Sequence, residues 1–451
     1  PLVSPYLQAV MLALFVATTA SATASVVTAD PLQTYLQKSE PAVKLYPATI
    51  KKQAGQMLHV MRFDSVAWRS GPETSPGQWW HWLIVYVPEK LKTSDIFFYL
   101  SNRTNSDKRP DAAHPIASQV ALQAGMIAVE MRMLPNQPIK ILGDKKGRIE
   151  DDLLARSWYL AMAKKDVTWA GHLPMVKAAA LAMDSVKTYL HQKKVLKTLN
   201  SRFVVAGVSK RGWATWLLSA VRQDVKAFMP IVIDIVNVTP SMRHHRKVLG
   251  EWSWVLGDYV REKVTGTLNK PEFEWLMKTI DPYFRLDRLQ QPKFIINAAN
   301  DQFFLPDSHQ FYSRDLQGST LWRYVPNRGH NLDRSDYVRT IAAYCQYLVQ
   351  QKPLPQVSWT AAGDAITVKP IPTKALYWRA ISADGDFRLA KSYPKYQSTV
   401  LKASKPGYFP VPARLRRGKV GEHVAGFGEF VFQSPQLLDL KVTSVTQVVR
   451  P

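Results

Sequence analysis

Two kinds of apolar pattern alternate along this chain. Short, nearly unbroken apolar runs occupy 79–87 (WWHWLIVYV), 95–100, 125–130, 203–207, 227–236, 293–298 and 321–325. Their length and their Val, Ile and Phe content predict buried strands. Between them, apolar residues recur every three or four positions at 116–124, 150–163, 173–190, 212–221, about 241–290 and 333–349, which predicts helices. Buried strands alternating with helices predict a mostly parallel sheet covered on both faces. After Gln350 the texture changes. Pro353, Pro355, Pro370 and Pro372 punctuate the chain, and short strand-like runs lie at 365–369, 374–380, 418–433 and 440–449. Turn sequences such as Ala383-Asp384-Gly385 separate them. The expected organisation is an α/β domain over 25–352, carrying a helical cap at about 241–290, followed by a small β-sandwich over 356–451.

Residues 1–24 carry no charge. Their apolar stretch, 9–17, is too short to span a bilayer comfortably, and Ala20-Ser21-Ala22 and Ala22-Thr23-Ala24 both fit a small-x-small cleavage site. This predicts a signal peptide and export to the periplasm or beyond. No other stretch reaches the apolar length of a transmembrane helix, so a soluble mature chain is expected.

Charge narrows the partners. The 451 residues include 59 Lys and Arg against 35 Asp and Glu, a formal net charge of +24. The cations are scattered in short clusters such as Lys145-Lys146, Lys193-Lys194 and Arg416-Arg417, with no recognition helix or aromatic RNA-binding strand beside them. Nucleic acid is therefore not an expected partner; peripheral contact with an anionic envelope surface is. A single cysteine, Cys345, excludes an intrachain disulfide and any cysteine-built metal site. Neither a metal nor an organic cofactor is implied, and the oligomeric state stays open.

The chemical signal lies at Gly207-Val208-Ser209-Lys210-Arg211-Gly212. A serine on a sharp strand-to-helix turn points its hydroxyl out of the sheet, and the new helix offers free N–H groups for an oxyanion. The pattern departs from G-x-S-x-G, because Arg211 stands two places after Ser209 and glycine falls at Gly212. The alternative is a serine that merely caps the helix. Partners follow in chain order, each just past a strand: Asp301 after 293–298 and His330 after 321–325. Ser209, Asp301 and His330 are thus the expected nucleophile, acid and base. Asp307 and Asp234 are alternative acids. The oxyanion donors are expected at Lys210 and in the loop at Asn102 or Arg103. Arg211, Asp234, His244 and His245 are candidate pocket residues, and Asp234 or Glu130 could receive a substrate amine.

The stretches GVSKRGWATWL at 207–217, PIVIDIVNV at 230–238, INAANDQFFLPDS at 296–308 and YVPNRGH at 324–330, with WRAISADGDFR at 378–388, resemble the PhoPQ-activated pathogenicity-related proteins of the α/β-hydrolase superfamily. The resemblance implies an exported, virulence-related serine hydrolase acting on a small-molecule or peptide substrate. The Ser209-Lys210-Arg211-Gly212 turn also resembles that of glucuronoyl esterases, which keeps a carbohydrate ester open as substrate. A non-catalytic binding protein on the same fold is the remaining alternative.

Overall fold

The computed structural model describes residues 30–69, 71–390 and 393–451; the expected export signal lies outside them. The part of the sheet that carries the site consists of β1 (Gln56–Ala67), β2 (Gln78–Pro88), β3 (Ile96–Leu100), β4 (Ile127–Met131), β5 (Phe203–Val208), β6 (Val225–Ile231), β7 (Lys293–Ala298) and β8 (Thr320–Val325). Their spatial order is β1-β2-β4-β3-β5-β6-β7-β8. β2 runs antiparallel to both neighbours, and β4 to β8 are parallel. Successive strand residues point to opposite faces, and both faces are covered. Phe98 and Val205 enter one core and Phe97 and Val204 the other, which is why these strands read as unbroken apolar runs.

The principal helices are α1 (Glu150–Ala163), α2 (His172–Gln192), α3 (Lys210–Val221), α4 (Val238–Leu249), α5 (Pro271–Ile280) and α6 (Tyr337–Val349). The insertion between β6 and β7 is helical, with short 3₁₀ turns between α4 and α5. Such a mixed sheet with helical insertions is the α/β-hydrolase fold that the resemblance implies. Two expectations along the sheet differ. β1 was not anticipated, because His59 and Arg62 put polar residues on both faces of its alternation. The run expected at 227–236 stays in the sheet only to Ile231, after which Val232, at φ 44°, turns the chain.

The larger difference lies after residue 356. β9 (Gln356–Trp359), β10 (Ala365–Lys369), β11 (Lys374–Ser382), β12 (Gln397–Val400), β13 (Tyr408–Pro410), β14 (His423–Phe432) and β15 (Leu440–Thr443) divide between two sheets. β9-β10-β13 form a small sheet of their own. The others continue the main sheet in the order β8-β15-β14-β11-β12. A sandwich standing apart from the α/β sheet is therefore not what these strands build. Arg323 of β8 pairs with Glu429 of β14, and Asp336 binds both Arg323, at 3.3 Å, and Lys441 of β15, at 2.5 Å.

Candidate active site

Ser209 sits between β5 and α3 with φ 57° and ψ −125°. This is a sparsely populated conformation for a residue with a side chain. Two glycines make room for the turn. A Cβ at Gly207 would lie 2.5 Å from the Arg211 carbonyl oxygen, and one at Gly212 would lie 2.8 Å from Ile233 Cγ2 and 2.9 Å from the Gly207 carbonyl oxygen. Gly212 thus supplies the close approach of helix to strand despite its displaced position. The Ser209 side chain makes no capping hydrogen bond to α3.

Its hydroxyl instead lies 2.9 Å from Nε2 of His330. Nδ1 of His330 lies 3.0 and 2.9 Å from the two carboxylate oxygens of Asp301. The carboxylate is 2% exposed and the imidazole 14%, so the acid is sealed while the base meets the site opening. The Phe303 N–H donates to Asp301 Oδ1 at 2.8 Å, and the Phe303 ring centroid stands 4.3 Å from that of His330. In the sequence only its adjacency to Asp301 points to Phe303. The structure therefore brings Ser209, His330 and Asp301 into one hydrogen-bonded line.

Register places the oxyanion candidates. Leu100 of β3 is paired with Gly207 of β5, so Asn102 and Ser209 each lie two residues past a matched pair on adjacent strands. Among the described residues, the backbone N–H groups of Asn102 and Lys210 donate to no protein acceptor. Arg103, next in the loop, has φ 118° and an exposed side chain.

The other candidates are placed elsewhere. Lys210 Nζ binds Glu150 at 2.7 Å and Asp151 at 3.2 Å. Arg211 is buried, donating to Glu150 at 2.8 Å and to the Leu134 carbonyl at 2.6 Å, so it faces the interior rather than a substrate. Burial opposes ionisation of Glu150, but Arg211 and Lys210 hold its carboxyl well below the usual range. Asp307 does not reach His330. It is paired with His244 at 3.0 Å and Arg450 at 2.7 Å, which keep its carboxyl low against burial. Asp234 accepts the hydroxyls of Tyr312 at 2.6 Å and Tyr324 at 2.8 Å. Burial pushes its pKa up to about 7, opposed by those two hydrogen bonds. His245 accepts the Ser253 N–H at 3.2 Å and stacks on Trp252, and burial lowers its pKa to about 4. Glu130 is buried in β4 beside Arg132, at 3.0 Å. None of Arg211, Asp234, His244 and His245 lines the cavity that contains Ser209.

What does face Ser209 is an apolar cavity. Its lining is mostly apolar, with Ile233, Trp158, Trp213, Phe303 and Phe304 among it and Met242, Trp252, Thr265 and Leu268 contributed by the insertion; Asp151 and Lys210 are its charged members. Among the described residues no group of three or more His, Cys, Asp or Glu could hold a metal ion, and no helix is long and apolar enough to cross a membrane.

Similarity to known proteins extends over most of the chain. Autocrine proliferation repressor protein A of Dictyostelium discoideum is 32% identical over 351 residues, which cover 73% of this chain and 70% of that protein. Acetyl xylan esterase 1 from Thermoanaerobacterium sp. JW/SL YS485 superposes with a TM-score of 0.47 at 14% identity, covering 71% of this chain and 92% of that one. An S-formylglutathione hydrolase from Agrobacterium tumefaciens gives 0.39 at 15% identity, covering 68% and 98%. Residues 32–388 match the family described as PhoPQ-activated pathogenicity-related protein, and the chain belongs to that family.

Proposed function

We propose that the protein is a serine hydrolase that cleaves an ester, amide or peptide bond through an acyl-enzyme. The observation that carries this reading is the hydrogen-bonded line from Ser209 through His330 to Asp301, at the mouth of an apolar cavity. His330 Nε2 takes the hydroxyl proton as Ser209 Oγ attacks the carbonyl carbon. Asp301 accepts the Nδ1–H, fixing the tautomer and stabilising the imidazolium. The backbone N–H groups of Lys210 and Asn102 receive the oxyanion. His330 then returns the proton to the leaving oxygen or nitrogen. In the second half, water attacks the acyl group with His330 as base, and Ser209 is regenerated.

The cavity lining supports an apolar acyl group or side chain next to the scissile carbonyl. It does not favour a sugar acid bound at the serine, because the carboxylates of Glu150 and Asp151 already neutralise Lys210 and Arg211. Export, with peripheral contact between the cationic surface and an anionic envelope, belongs to the same reading. Labelling by a fluorophosphonate probe tests it, alongside turnover of chromogenic aminoacyl, acyl-ester and sugar-ester substrates by wild type and Ser209→Ala. Labelling and turnover that vanish in Ser209→Ala are expected. A folded wild type that neither labels nor turns over any substrate would instead be a binding protein on this fold.

A further inference from the structure

Part of the wall of the apolar cavity is also the wall of a second, outward-facing groove. Trp252, Thr265 and Leu268 line both. The groove adds Arg243, Arg246 and Lys247, and no acidic residue lines it. These three cations share one face of α4 at i, i+3 and i+4 spacing and are exposed. An adjoining stripe of the same helix, Val238 and Met242, lines the cavity. One helix therefore presents apolar groups towards the serine and cations towards the groove. Arg243 donates to Asn269 at 2.8 Å, and among the described residues none of the three cations has a carboxylate partner. Arg148, by contrast, meets Asp144, Asp152 and Glu262. The facing segment, 263–270, begins at Lys263, ends at Lys270 and contains no acid.

Only the shared residues Trp252, Thr265 and Leu268 stand between the cavity that holds Ser209 and the cationic groove. Resting on the hydrolase reading above, we propose that the groove is an anion subsite. The preferred substrate then carries an acyl group that is apolar next to the scissile carbonyl and bears a carboxylate or phosphate at its far end. The cations are exposed, so each contributes modestly and is screened by salt. Selectivity comes from their grouping and from the length of chain needed to reach them.

The test is a ladder of p-nitrophenyl esters of increasing acyl length, each made with a terminal methyl, carboxylate or phosphate. The expected result is a charged-over-neutral preference in kcat/KM that is absent for short chains, rises to roughly tenfold at a particular length, and collapses at high salt. Arg246→Gln/Lys247→Gln should reduce that ratio, and Arg246→Glu/Lys247→Glu should invert it. The carboxylate and phosphate arms identify which anion is preferred. Equal kcat/KM for charged and neutral esters at every length overturns the proposal, as does a preference unchanged by charge reversal. Failure of wild type to turn over even the neutral esters removes the hydrolase reading itself, and the subsite with it.

Discussion

Gln302 accepts the backbone N–H of His330 at 2.9 Å and donates its amide to the Leu389 carbonyl at 3.2 Å. One side chain, next to the acid in sequence, thereby spans from the base to the C-terminal segment. It also packs on Gly329, where a Cβ would lie 2.7 Å from the Gln302 amide atoms. Gln302→Ala is expected to lower kcat about tenfold with little change in KM, because it loosens the base rather than the cavity. Gln302→Glu keeps the acceptor for the His330 N–H and should recover part of the loss. Steady-state kinetics on a chromogenic ester would separate the two parameters.

The backbone of Ser209 holds stored strain. At φ 57° and ψ −125° a glycine fits better than a serine. Ser209→Gly is expected to raise the unfolding free energy by about 1 kcal/mol while abolishing turnover. Urea denaturation of the variant beside wild type measures this; a stability equal to or below that of wild type would contradict it.

Asp234 makes stability depend on pH. Its pKa of about 7 in the folded chain, raised by burial, exceeds the ordinary value of 3.8. Between those values the folded protein binds a proton that the unfolded chain has released, so this group's contribution is full below about pH 4 and is lost as pH rises towards 7. Relative to Asp234→Asn, wild type should lose stability between pH 5 and pH 8. Urea midpoints for both proteins at the two pH values provide the measurement, and parallel pH profiles would contradict it.

The contact between Arg323 and Glu429 is buried and joins β8 to β14. Glu429→Ala leaves a buried guanidinium with only the Asp336 contact, and is expected to destabilise the protein by about 3–5 kcal/mol. Thermal unfolding would show this as a lowered Tm. Activity at low temperature should survive, since β8 also retains its pairing with β7.

Much of the sheet was legible because β3, β5, β7 and β8 are buried on both faces and bounded by polar turns. Ser209, Asp301 and His330 were legible for a related reason: each follows such a strand, where a parallel sheet gathers its loops. Pairing partners far away in sequence were not. Arg211 reads as a pocket residue beside the serine, yet it and Lys210 are held by Glu150, about sixty residues earlier. Asp307 lies deeper in the loop than Asp301, but nothing local shows that His244 and Arg450 take it up. The strands after 356 alternate as a separate sandwich would, and a single matched pair, Trp322 with Thr443, decides that they extend the main sheet.

That continuity has a consequence for synthesis. While β8 is being made, its outer edge is bare, with unpaired peptide groups able to recruit another chain. The strand that covers it, β15, leaves the ribosome more than a hundred residues later. Asp307 waits longer still, for an arginine 143 positions downstream. A nascent chain therefore cannot finish its acid loop or close its sheet until more than a hundred residues beyond β8 have followed, which defines a long interval in which a chaperone has something specific to protect.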